Sequence, residues 1–302
     1  MVKLPSNVNI NNLIDYLRII SWEAADILIS YEGTLKDLKK REEAINTKSD
    51  KSPVTLADLK VNEIILKRMM EEYSNVSWNY LSEENVDLFS KKENQISEWL
   101  WILDPLDGTK DFVNGTKDYA MHLALNFQNK PFLGIVLIPK RNELWISDGK
   151  KVWCERRNGS FLNSNLSKKT KLEEMNLVRS KNHSNDVLKK LIEKIEFSNI
   201  SVMGSVGCKI SSIIRGENDI YISVSLPGKS SPKDWDFAAP EVILKNSGGA
   251  ITNIDNEELI YNQENYEQRG IIIASSNKET HKEVCSKIKA IIKKYNLYPL
   301  NS

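Results

Sequence analysis

The pattern of apolar and polar positions divides the chain into two halves with different periodicities. In the first half, apolar residues at helical spacing predict a helix over residues 10–32 and a second over residues 56–69. The most continuous apolar run, WLWIL at residues 99–103, has the length of a buried strand and stops at Asp104, before Pro105. Further β-rich runs at residues 119–127, 131–138, 144–147 and 151–154 predict two hairpins.

The second half alternates short strands with helices. Strands are predicted at residues 176–179, 200–203, 219–224, 250–254 and 270–274, and helices at 186–195, 206–215, 237–246 and 278–295. Such alternation favours an α/β layer. A polar, lysine-rich stretch at residues 158–174 separates the halves. We therefore expect an N-terminal α+β domain over residues 1–165 and a C-terminal α/β domain over residues 166–302.

Composition narrows the class of protein and of partner. The 302 residues are 40% hydrophobic and 27% charged, with a formal net charge of +1, which is typical of a globular protein without a strong field for nucleic acid or an anionic membrane. Three widely spaced cysteines argue for a reducing cytoplasm and against a zinc site. No apolar run reaches the roughly 20 residues of a membrane span, and the N-terminus lacks a signal-peptide core. The charged segment 35–51 is either a lid or an arm, and no chemistry is assigned to it.

The turn that follows the WLWIL run carries the candidate chemistry. Asp104 and Asp107 flank Pro105, so two carboxylates stand at the end of one strand, and the Leu106 carbonyl can point the same way. Hard cations such as Mg²⁺ prefer oxygen ligands of this kind. Gly108 allows close approach of a ligand, and the N–H groups of a helix start bind anions. The alternative is that Asp104 ends a strand and Asp107 caps a helix, although a cap needs only one carboxylate.

Three other acidic residues have ordinary local explanations. Asp58 follows Thr55 by three residues and fits a capping box. Glu83 belongs to a Glu pair after a predicted strand at residues 75–81, where surface charge is common. Asp236 is expected to open a helix as its N-cap, with Pro240 early enough to be tolerated. His122, inside a strand, is expected to be a core histidine rather than a ligand.

Two strings resemble signatures of a known family. DPLDGT at residues 104–109 is similar to the D-P-(I/L)-D-G-T signature of the inositol monophosphatase superfamily of Mg²⁺-dependent phosphatases, and WDFAA at residues 235–239 resembles its W-D-x-(A/C)-A signature. The resemblance spans residues 52–275 and implies the superfamily's layered αβαβα sugar-phosphatase fold. It implies that two or three Mg²⁺ ions are held by Glu83, Asp104, the Leu106 carbonyl, Asp107 and Asp236.

The same resemblance assigns the groups around the phosphate. It implies that Thr109, oriented by Asp58, accepts a proton from a metal-activated water, and that the backbone N–H groups of Gly108 and Thr109 hold the phosphate. No serine or cysteine nucleophile is then needed, and with three histidines in the chain a histidine-based phosphotransfer is poorly supported.

The substrate is indicated by the second half. Inositol-specific members carry a Glu shortly before W-D, and residues 222–233 contain none. PGKSSPKDWDFAAPEVIL instead resembles the 3′(2′),5′-bisphosphate nucleotidase (CysQ-like) branch, with a few residues inserted. Arg179-Ser180 and His183-Ser184 resemble that branch's R-S-H-S, split by Lys181-Asn182. Gly204-Ser205-x-x-x-Lys209 resembles the branch's G-(S/G)-x-x-x-K nucleotide element, and the alternative for Lys209 is an ordinary helix-surface lysine. The predicted substrate-binding residues are Gly108, Thr109, His183, Ser205 and Lys209.

The predicted activity is removal of the 3′-phosphate from adenosine 3′,5′-bisphosphate in sulfur assimilation, with sensitivity to lithium. Its 5′-phosphosulfate relative is the second candidate substrate. An inositol or other sugar monophosphatase is the alternative of the same chemistry. A non-catalytic nucleotide- or metal-binding regulator is the alternative of another class. The expected partner is a small phosphate ester, and the chain is expected to be a cytoplasmic monomer or homodimer.

Overall fold

The structure of the protein is a computed structural model that describes residues 3–5, 7–35, 45–47, 53–86 and 97–300, with the backbone alone for 46, 47, 53 and 54. Most of the charged segment 35–51 therefore lies outside the described residues. Its last part includes a three-residue strand, β1 (Ile45–Thr47), which pairs antiparallel with β2 (Pro53–Thr55).

The first half forms a seven-stranded sheet. Its strands run in chain order, with only the first pair parallel: β3 (Asn79–Ser82), β4 (Trp99–Asp107), β5 (Ala120–Phe127), β6 (Lys130–Ile138), β7 (Glu143–Ser147), β8 (Val152–Glu155) and β9 (Phe161–Leu162). The predicted hairpins are present. Gln128 and Asn129 connect β5 to β6 with φ values of 49° and 61°, as a two-residue hairpin turn requires.

Helices cover both faces of this sheet. On the outer face lie α1 (Ile10–Thr34) and α2 (Leu56–Glu72), which pack against alternate residues of β4 to β7. On the inner face lie α5 (Val206–Ile214) and α6 (Asp234–Ser247), contributed by the second half. Because β4 is buried on both faces, every residue of WLWIL is apolar, as expected for a central strand. Gly134 in β6 admits α6 closely, since a Cβ there would lie 2.4 Å from Val242 Cγ1.

The second half forms a five-stranded mixed sheet on the far side of α5 and α6. Its order is β11-β10-β12-β14-β13, with β10 parallel to both neighbours and β14 antiparallel to both of its own. The strands are β10 (Asn176–Ser180), β11 (Asn199–Met203), β12 (Ile220–Val224), β13 (Ala250–Asn253) and β14 (Ile271–Ser275). Its outer face is covered by α4 (Asp186–Ile195) and α7 (His281–Lys294). One further helix, α3 (Thr109–Val113), follows β4.

The layers therefore follow the order helix, sheet, helix, sheet, helix, which confirms the predicted αβαβα fold. The change from one sheet to the other falls between Leu162 and Asn176. The hydrophobic cluster around α5 and α6 nevertheless joins side chains of both sheets. Division into two domains at residue 165 remains a prediction, and the shared cluster argues that the halves stabilise each other.

Two local predictions were wrong. The strand β4 does not stop at Asp104 but continues to Asp107, because a register shift between these residues accommodates Pro105 in a β-bulge. The helix α6 begins at Asp234, so Pro240 is its seventh residue and lies within the helix rather than in its first turn. Proline there leaves the Asp236 carbonyl without its usual i+4 N–H partner.

Candidate metal centre and active site

The bulge of β4 places two carboxylates on one side of the turn. Asp104, which is 1% exposed, pairs with His122 on β5, and Asp107 pairs with Ala120, so one extra residue separates them on β4. Asp104 Oδ1 accepts a hydrogen bond of 3.0 Å from the Leu106 N–H. The turn is thus fixed from within by one of its own carboxylates.

A third carboxylate reaches this pair from the second half of the chain. One oxygen from each of Asp104, Asp107 and Asp236 lies within 4.8 Å of the other two. Among the described residues, no other group of three His, Cys, Asp or Glu side chains comes together in this way. Carboxylate oxygens at this spacing fit a hard divalent cation such as Mg²⁺, which takes oxygen ligands about 2.0–2.1 Å away.

Asp236 is positioned by the first turn of α6. It is the third residue of the helix, not its N-cap, and its Oδ2 accepts a 2.5 Å hydrogen bond from the backbone N–H of Lys233. Burial, with the charges of Asp107 and then Glu83, raises the pKa of Asp236 to about 8. A carboxylate with so high a pKa is held among like charges, and a bound cation would relieve that repulsion.

Glu83 lies at the edge of this cluster. It begins a short 3₁₀ turn, Glu83–Asn85, directly after β3, and lines the same cavity as the three aspartates. Its carboxylate is not one of the three that meet within 4.8 Å, yet its charge contributes to the raised pKa of Asp236. Its predicted metal contact remains a prediction.

Asp107 is held by the N-terminus of α5. Its Oδ2 accepts hydrogen bonds from Ser205 Oγ at 2.6 Å, from the N–H of Val206 at 2.5 Å and from the N–H of Gly207 at 3.3 Å. A negative charge at a helix N-terminus is stabilised by the unsatisfied N–H groups and the helix dipole. Within the described part of the chain, Asp107 Oδ1 has no hydrogen bond, so this oxygen is available to a cation.

This geometry changes the expected place of Ser205. The residue was predicted to bind substrate, but it is fully buried and is not among the described residues that line the cavity. Its hydroxyl donates to Asp107 and accepts from the N–H of Cys208 at 3.2 Å. Ser205 thus caps α5 and orients Asp107, a contact between residues 98 positions apart that no local pattern indicates.

His122 also contacts Asp107, a contact that its local sequence does not indicate. It is 1% exposed, its Nδ1 lies 3.2 Å from the Trp235 carbonyl oxygen, and its Nε2 lies 3.3 Å from Asp107 Oδ2. Burial lowers its pKa. It is a core histidine as expected, but the core around it borders the carboxylate cluster.

Asp58 completes the predicted capping box and also lies beside Thr109. Its Oδ2 completes a capping box by accepting from the Thr55 N–H at 2.9 Å and the Thr55 hydroxyl at 2.5 Å. Its Oδ1 lies 3.3 Å from Thr109 Oγ1. The helix cap therefore fixes the orientation of the carboxylate that faces Thr109.

The start of α3 joins this pair to the turn. Thr109 Oγ1 lies 3.1 Å from the Leu106 carbonyl oxygen. Gly108, the N-cap of α3, has φ of +92°, and a Cβ there would lie 2.7 Å from the Asp118 carbonyl oxygen. Only glycine fits this combination of backbone angle and close packing.

A cavity of about 310 Å³ opens above these groups. We call Glu83, Asp104, Asp107, Thr109 and Asp236 its floor, and the lining residues 180, 182–183, 223–225 and 230–233 its rim. His183 lies on the rim and is exposed. The volume is suited to a small molecule.

Lys209 lies in the cavity wall rather than on a helix surface. It is 2% exposed, its Nζ donates to the Gly204 carbonyl, and the same atom lies 5.1 Å from the centroid of the Tyr221 ring. Burial lowers its pKa, and the charge of Asp107 opposes that effect. A buried ammonium group at a cavity wall is suited to binding an anion.

Comparisons with known proteins agree with the site. A family model described as "Inositol monophosphatase family" matches residues 11–293 of this chain. Curated relatives include the 3′(2′),5′-bisphosphate nucleotidases CysQ of Buchnera aphidicola, 30% identical over 72% of this chain and 77% of the relative, and of Haemophilus influenzae, 27% identical over 78% and 86%. A fructose-1,6-bisphosphatase/inositol-1-monophosphatase of Thermotoga maritima is 26% identical over 85% and 87%.

Solved structures show the same fold. An IMPase of Thermotoga maritima superposes with a TM-score of 0.71 at 22% identity, covering 94% of this chain and 99% of that one. The inositol monophosphatase of Anabaena gives 0.70 at 20% identity, over 94% and 97%. Within the described ranges, none of the helices combines the length and the apolar character needed to cross a membrane. The match over residues 11–293, together with the fold and the carboxylate cluster, shows that the chain belongs to the inositol monophosphatase family, whose members are phosphatases that use Mg²⁺.

Proposed function

We propose that this phosphatase is a Mg²⁺-dependent 3′(2′),5′-bisphosphate nucleotidase that hydrolyses adenosine 3′,5′-bisphosphate to AMP and phosphate. The observation that carries the proposal is a single cavity with a three-carboxylate floor, suited to a cation, and a buried lysine in its wall. The floor is suited to the phosphoryl group that is transferred, and the lysine to a second anionic group on the same substrate.

Asp104, Asp107 and Asp236 would hold the metal, with Glu83 and the Leu106 carbonyl completing the set that the family resemblance implies. Magnesium at such a site supplies Lewis-acid activation of water and neutralises charge on the phosphoryl oxygens. The chain contributes ligands that are already oriented: Asp104 by the Leu106 N–H, Asp107 by α5 and Asp236 by the Lys233 N–H. Little reorganisation is then required on metal binding.

Thr109 and Asp58 would move the proton. Thr109 Oγ1 accepts a proton from the attacking water and passes its own to Asp58 Oδ1, 3.3 Å away. The water oxygen forms the new bond to phosphorus as the bond from phosphorus to the 3′ oxygen of the sugar breaks, and the 3′ oxygen takes up a proton from solvent to become the hydroxyl of AMP. The N–H groups of Gly108 and Thr109 would hold the phosphoryl oxygens, because the first N–H groups of a helix have no intrahelical partner.

Lys209 and His183 would receive the nucleotide part. Both line the cavity, Lys209 with a charge for the 5′-phosphate and His183 with a ring on the exposed rim for the base. The curated relatives named CysQ are 3′(2′),5′-bisphosphate nucleotidases, which supports this choice of substrate. The 5′-phosphosulfate relative is a second substrate for the same groups.

An inositol or other sugar monophosphatase is the second candidate, supported by the Thermotoga maritima relative with both sugar-phosphatase names. A substrate with a single phosphate would leave Lys209 without a second anionic group to bind. A regulator that binds nucleotide or metal without turnover is disfavoured by the orientation of Thr109 toward Asp58, which binding alone does not require.

The cellular compartment, the oligomeric state and the sensitivity to lithium belong to the same proposal. We expect the enzyme to act in the cytoplasm on a by-product of sulfur assimilation, as a monomer or homodimer, and to be inhibited by lithium competing at the carboxylate cluster. Size-exclusion chromatography with light scattering, and activity measured across a lithium series, test the last two expectations.

The deciding experiment measures phosphate release from adenosine 3′,5′-bisphosphate, inositol 1-phosphate and fructose 1,6-bisphosphate, each with Mg²⁺ and with a chelator. We expect kcat/KM to be at least about tenfold higher for the bisphosphonucleotide, a difference of about 1.4 kcal/mol in transition-state binding, and no turnover with the chelator. Preference for inositol 1-phosphate would favour the second candidate. Nucleotide binding without hydrolysis of any ester would favour the regulator.

A further inference from the structure

A buried carboxylate outside the metal cluster links α3 to the rim. Asp111, two residues after Thr109, is 1% exposed. Its Oδ1 accepts hydrogen bonds from Lys181 Nζ at 2.8 Å and Thr116 Oγ1 at 2.7 Å, and its Oδ2 accepts from Asn182 Nδ2 at 2.7 Å. We call these four residues the Asp111 clasp.

The clasp joins the two halves of the chain. Asp111 and Thr116 belong to the first half, whereas Lys181 and Asn182 directly follow β10 in the second. Lys181 and Asn182 are also the two residues that split the R-S-H-S string in the sequence. The residues that interrupt the string are therefore the ones whose side chains bind Asp111.

The chain on either side of His183 is fixed as well. The N–H of Lys181 donates to the Met203 carbonyl at 2.9 Å, and the N–H of His183 donates to Ser180 Oγ at 3.2 Å. Farther along, Asn185 Nδ2 donates to the Val224 carbonyl at 2.8 Å. The segment is thus held at both ends, and His183 stands on its exposed part, facing the cavity.

Space for Asp111 is built into the neighbouring backbone. A Cβ on Gly204 would lie 2.3 Å from Asp111 Oδ2 and 2.6 Å from the Asp118 carbonyl oxygen, so even alanine would displace the carboxylate. Burial tends to raise the pKa of Asp111, but hydrogen bonds from Lys181, Thr116 and Asn182 outweigh it and leave the pKa below its ordinary value. The clasp is therefore fully formed at neutral pH.

We propose that Asp111 is a positioning residue for substrate selection, which holds His183, through Lys181 and Asn182, against the part of the substrate beyond the transferred phosphoryl group. The inference rests on the proposed function, since it needs a substrate that reaches the rim. A large ester depends on the position of His183, because misplacing a contacting group reduces binding. An ester too small to reach the rim does not.

The test compares two esters in the full-length enzyme with Mg²⁺: adenosine 3′,5′-bisphosphate and p-nitrophenyl phosphate. For Lys181→Met we expect KM for the nucleotide to rise about tenfold with kcat within about twofold, the pattern of lost substrate binding. For p-nitrophenyl phosphate, kcat/KM is expected to stay within about twofold. Lys181→Arg, which keeps the charge, should retain KM for the nucleotide within about threefold.

Two further variants provide a matched control and a test of whether Lys181 acts through His183. Lys189→Met is the matched control, because Lys189 belongs to the adjacent α4 and its ammonium group pairs with Asp186 at 3.2 Å on the exposed surface. The kinetic constants for both esters should be unchanged. His183→Ala should reproduce the effect of Lys181→Met, and the double variant should add little, since both changes remove one contact.

Equal losses on the two esters, unchanged KM in Lys181→Met, or full additivity with His183→Ala would overturn the inference. If the wild type hydrolyses inositol 1-phosphate or fructose 1,6-bisphosphate but not the nucleotide, the proposed function fails. The effect of Lys181→Met on KM for that ester, relative to p-nitrophenyl phosphate, then tests the role of Asp111 separately. Hydrolysis of no ester would remove both.

Discussion

The turn at residues 104–109 and the rim at residues 180, 182–183, 223–225 and 230–233 line one cavity, yet they are built differently. The turn ends a strand buried on both faces, and Asp104 is 1% exposed. The rim consists mainly of loop ends, with His183 exposed. A carboxylate cluster requires fixed ligands, whereas selection among substrates is readily altered in loops. We therefore expect the turn to determine the chemistry and the rim to determine the choice of ester.

Loss of a carboxylate in the turn should give the largest effect on catalytic activity. We expect Asp104→Asn to lower kcat by about a thousandfold or more on every ester, because an amide replaces a charged oxygen where cation charge assists the reaction. The melting temperature should stay near that of the wild type, since the side chains are nearly the same size. Asp186→Asn, at an exposed side chain, is the control. Substantial turnover in Asp104→Asn would contradict the metal assignment.

The proton-transfer pair should give the next largest effect. Thr109→Val removes the hydroxyl that faces Asp58, and we expect kcat to fall by about a hundredfold or more, within the usual range for general acid–base groups. Thr109→Ser keeps the hydroxyl and should retain most of the activity. Steady-state kinetics on two esters measure this, and equal activity of the Val and Ser variants would exclude the proposed role.

A change at the wall should separate substrates instead of abolishing the reaction. For Lys209→Met we expect KM for adenosine 3′,5′-bisphosphate to rise about tenfold to a hundredfold, as loss of a charge-assisted hydrogen bond worth about 1.5–3 kcal/mol implies. The effect on p-nitrophenyl phosphate should be several times smaller. A similar rise for both esters would place Lys209 at the transferred phosphoryl group instead of at a second anion.

The smallest effect on activity should come from a residue distant from both regions, His281 in α7. It is 2% exposed, its Nδ1 lies 2.7 Å from Ser275 Oγ and its Nε2 2.8 Å from Thr252 Oγ1. Burial lowers its pKa to about 4, against about 6.5 in the unfolded chain. Between these values the unfolded state binds more protons, so stability from this group is present above pH 6.5 and is lost as pH falls toward 4.

The free energy lost through this window is about 2–3 kcal/mol, at about 1.4 kcal/mol for each pH unit. His281→Asn should therefore show a shallower loss of stability between pH 6.5 and 4 in urea unfolding, with kcat at pH 7.5 unchanged. Lys282→Gln, at an exposed position next to His281 in the same helix, should retain the wild-type slope. Identical slopes in wild type and His281→Asn would show that His281 does not titrate in this way.

Much of this architecture could be read from residue patterns. The helical spacing in α1 and α2 and the alternation of strands and helices after residue 175 predicted most elements, because periodicity reports which face is buried. Asp58 shows the limit of that approach. Its capping box is a local pattern, while the 3.3 Å approach of its other oxygen to Thr109 joins residues 51 positions apart and was implied only by family resemblance.

The errors at the site have the same origin. Pro105 and Pro240 were interpreted from local rules for proline, but the bulge of β4 and the packing of α6 accommodate both. Ser205 was assigned to the substrate from its string, and only the docking of α5 onto the turn shows its hydroxyl bound to Asp107. Tertiary packing overrides a local conformational preference where the buried contacts contribute more free energy than that preference does.

The sequence by itself determined the order of the elements, the doubled carboxylate at the end of the central strand and the two strings that indicate the family, since these are local in the chain. Tertiary structure alone decided that Asp236 meets Asp104 and Asp107, that the N-terminus of α5 holds Asp107, and that Lys181 and Asn182 bind Asp111. These contacts join residues dozens of positions apart. They form because burying the inner face of each sheet against α5 and α6 brings distant segments into one layer.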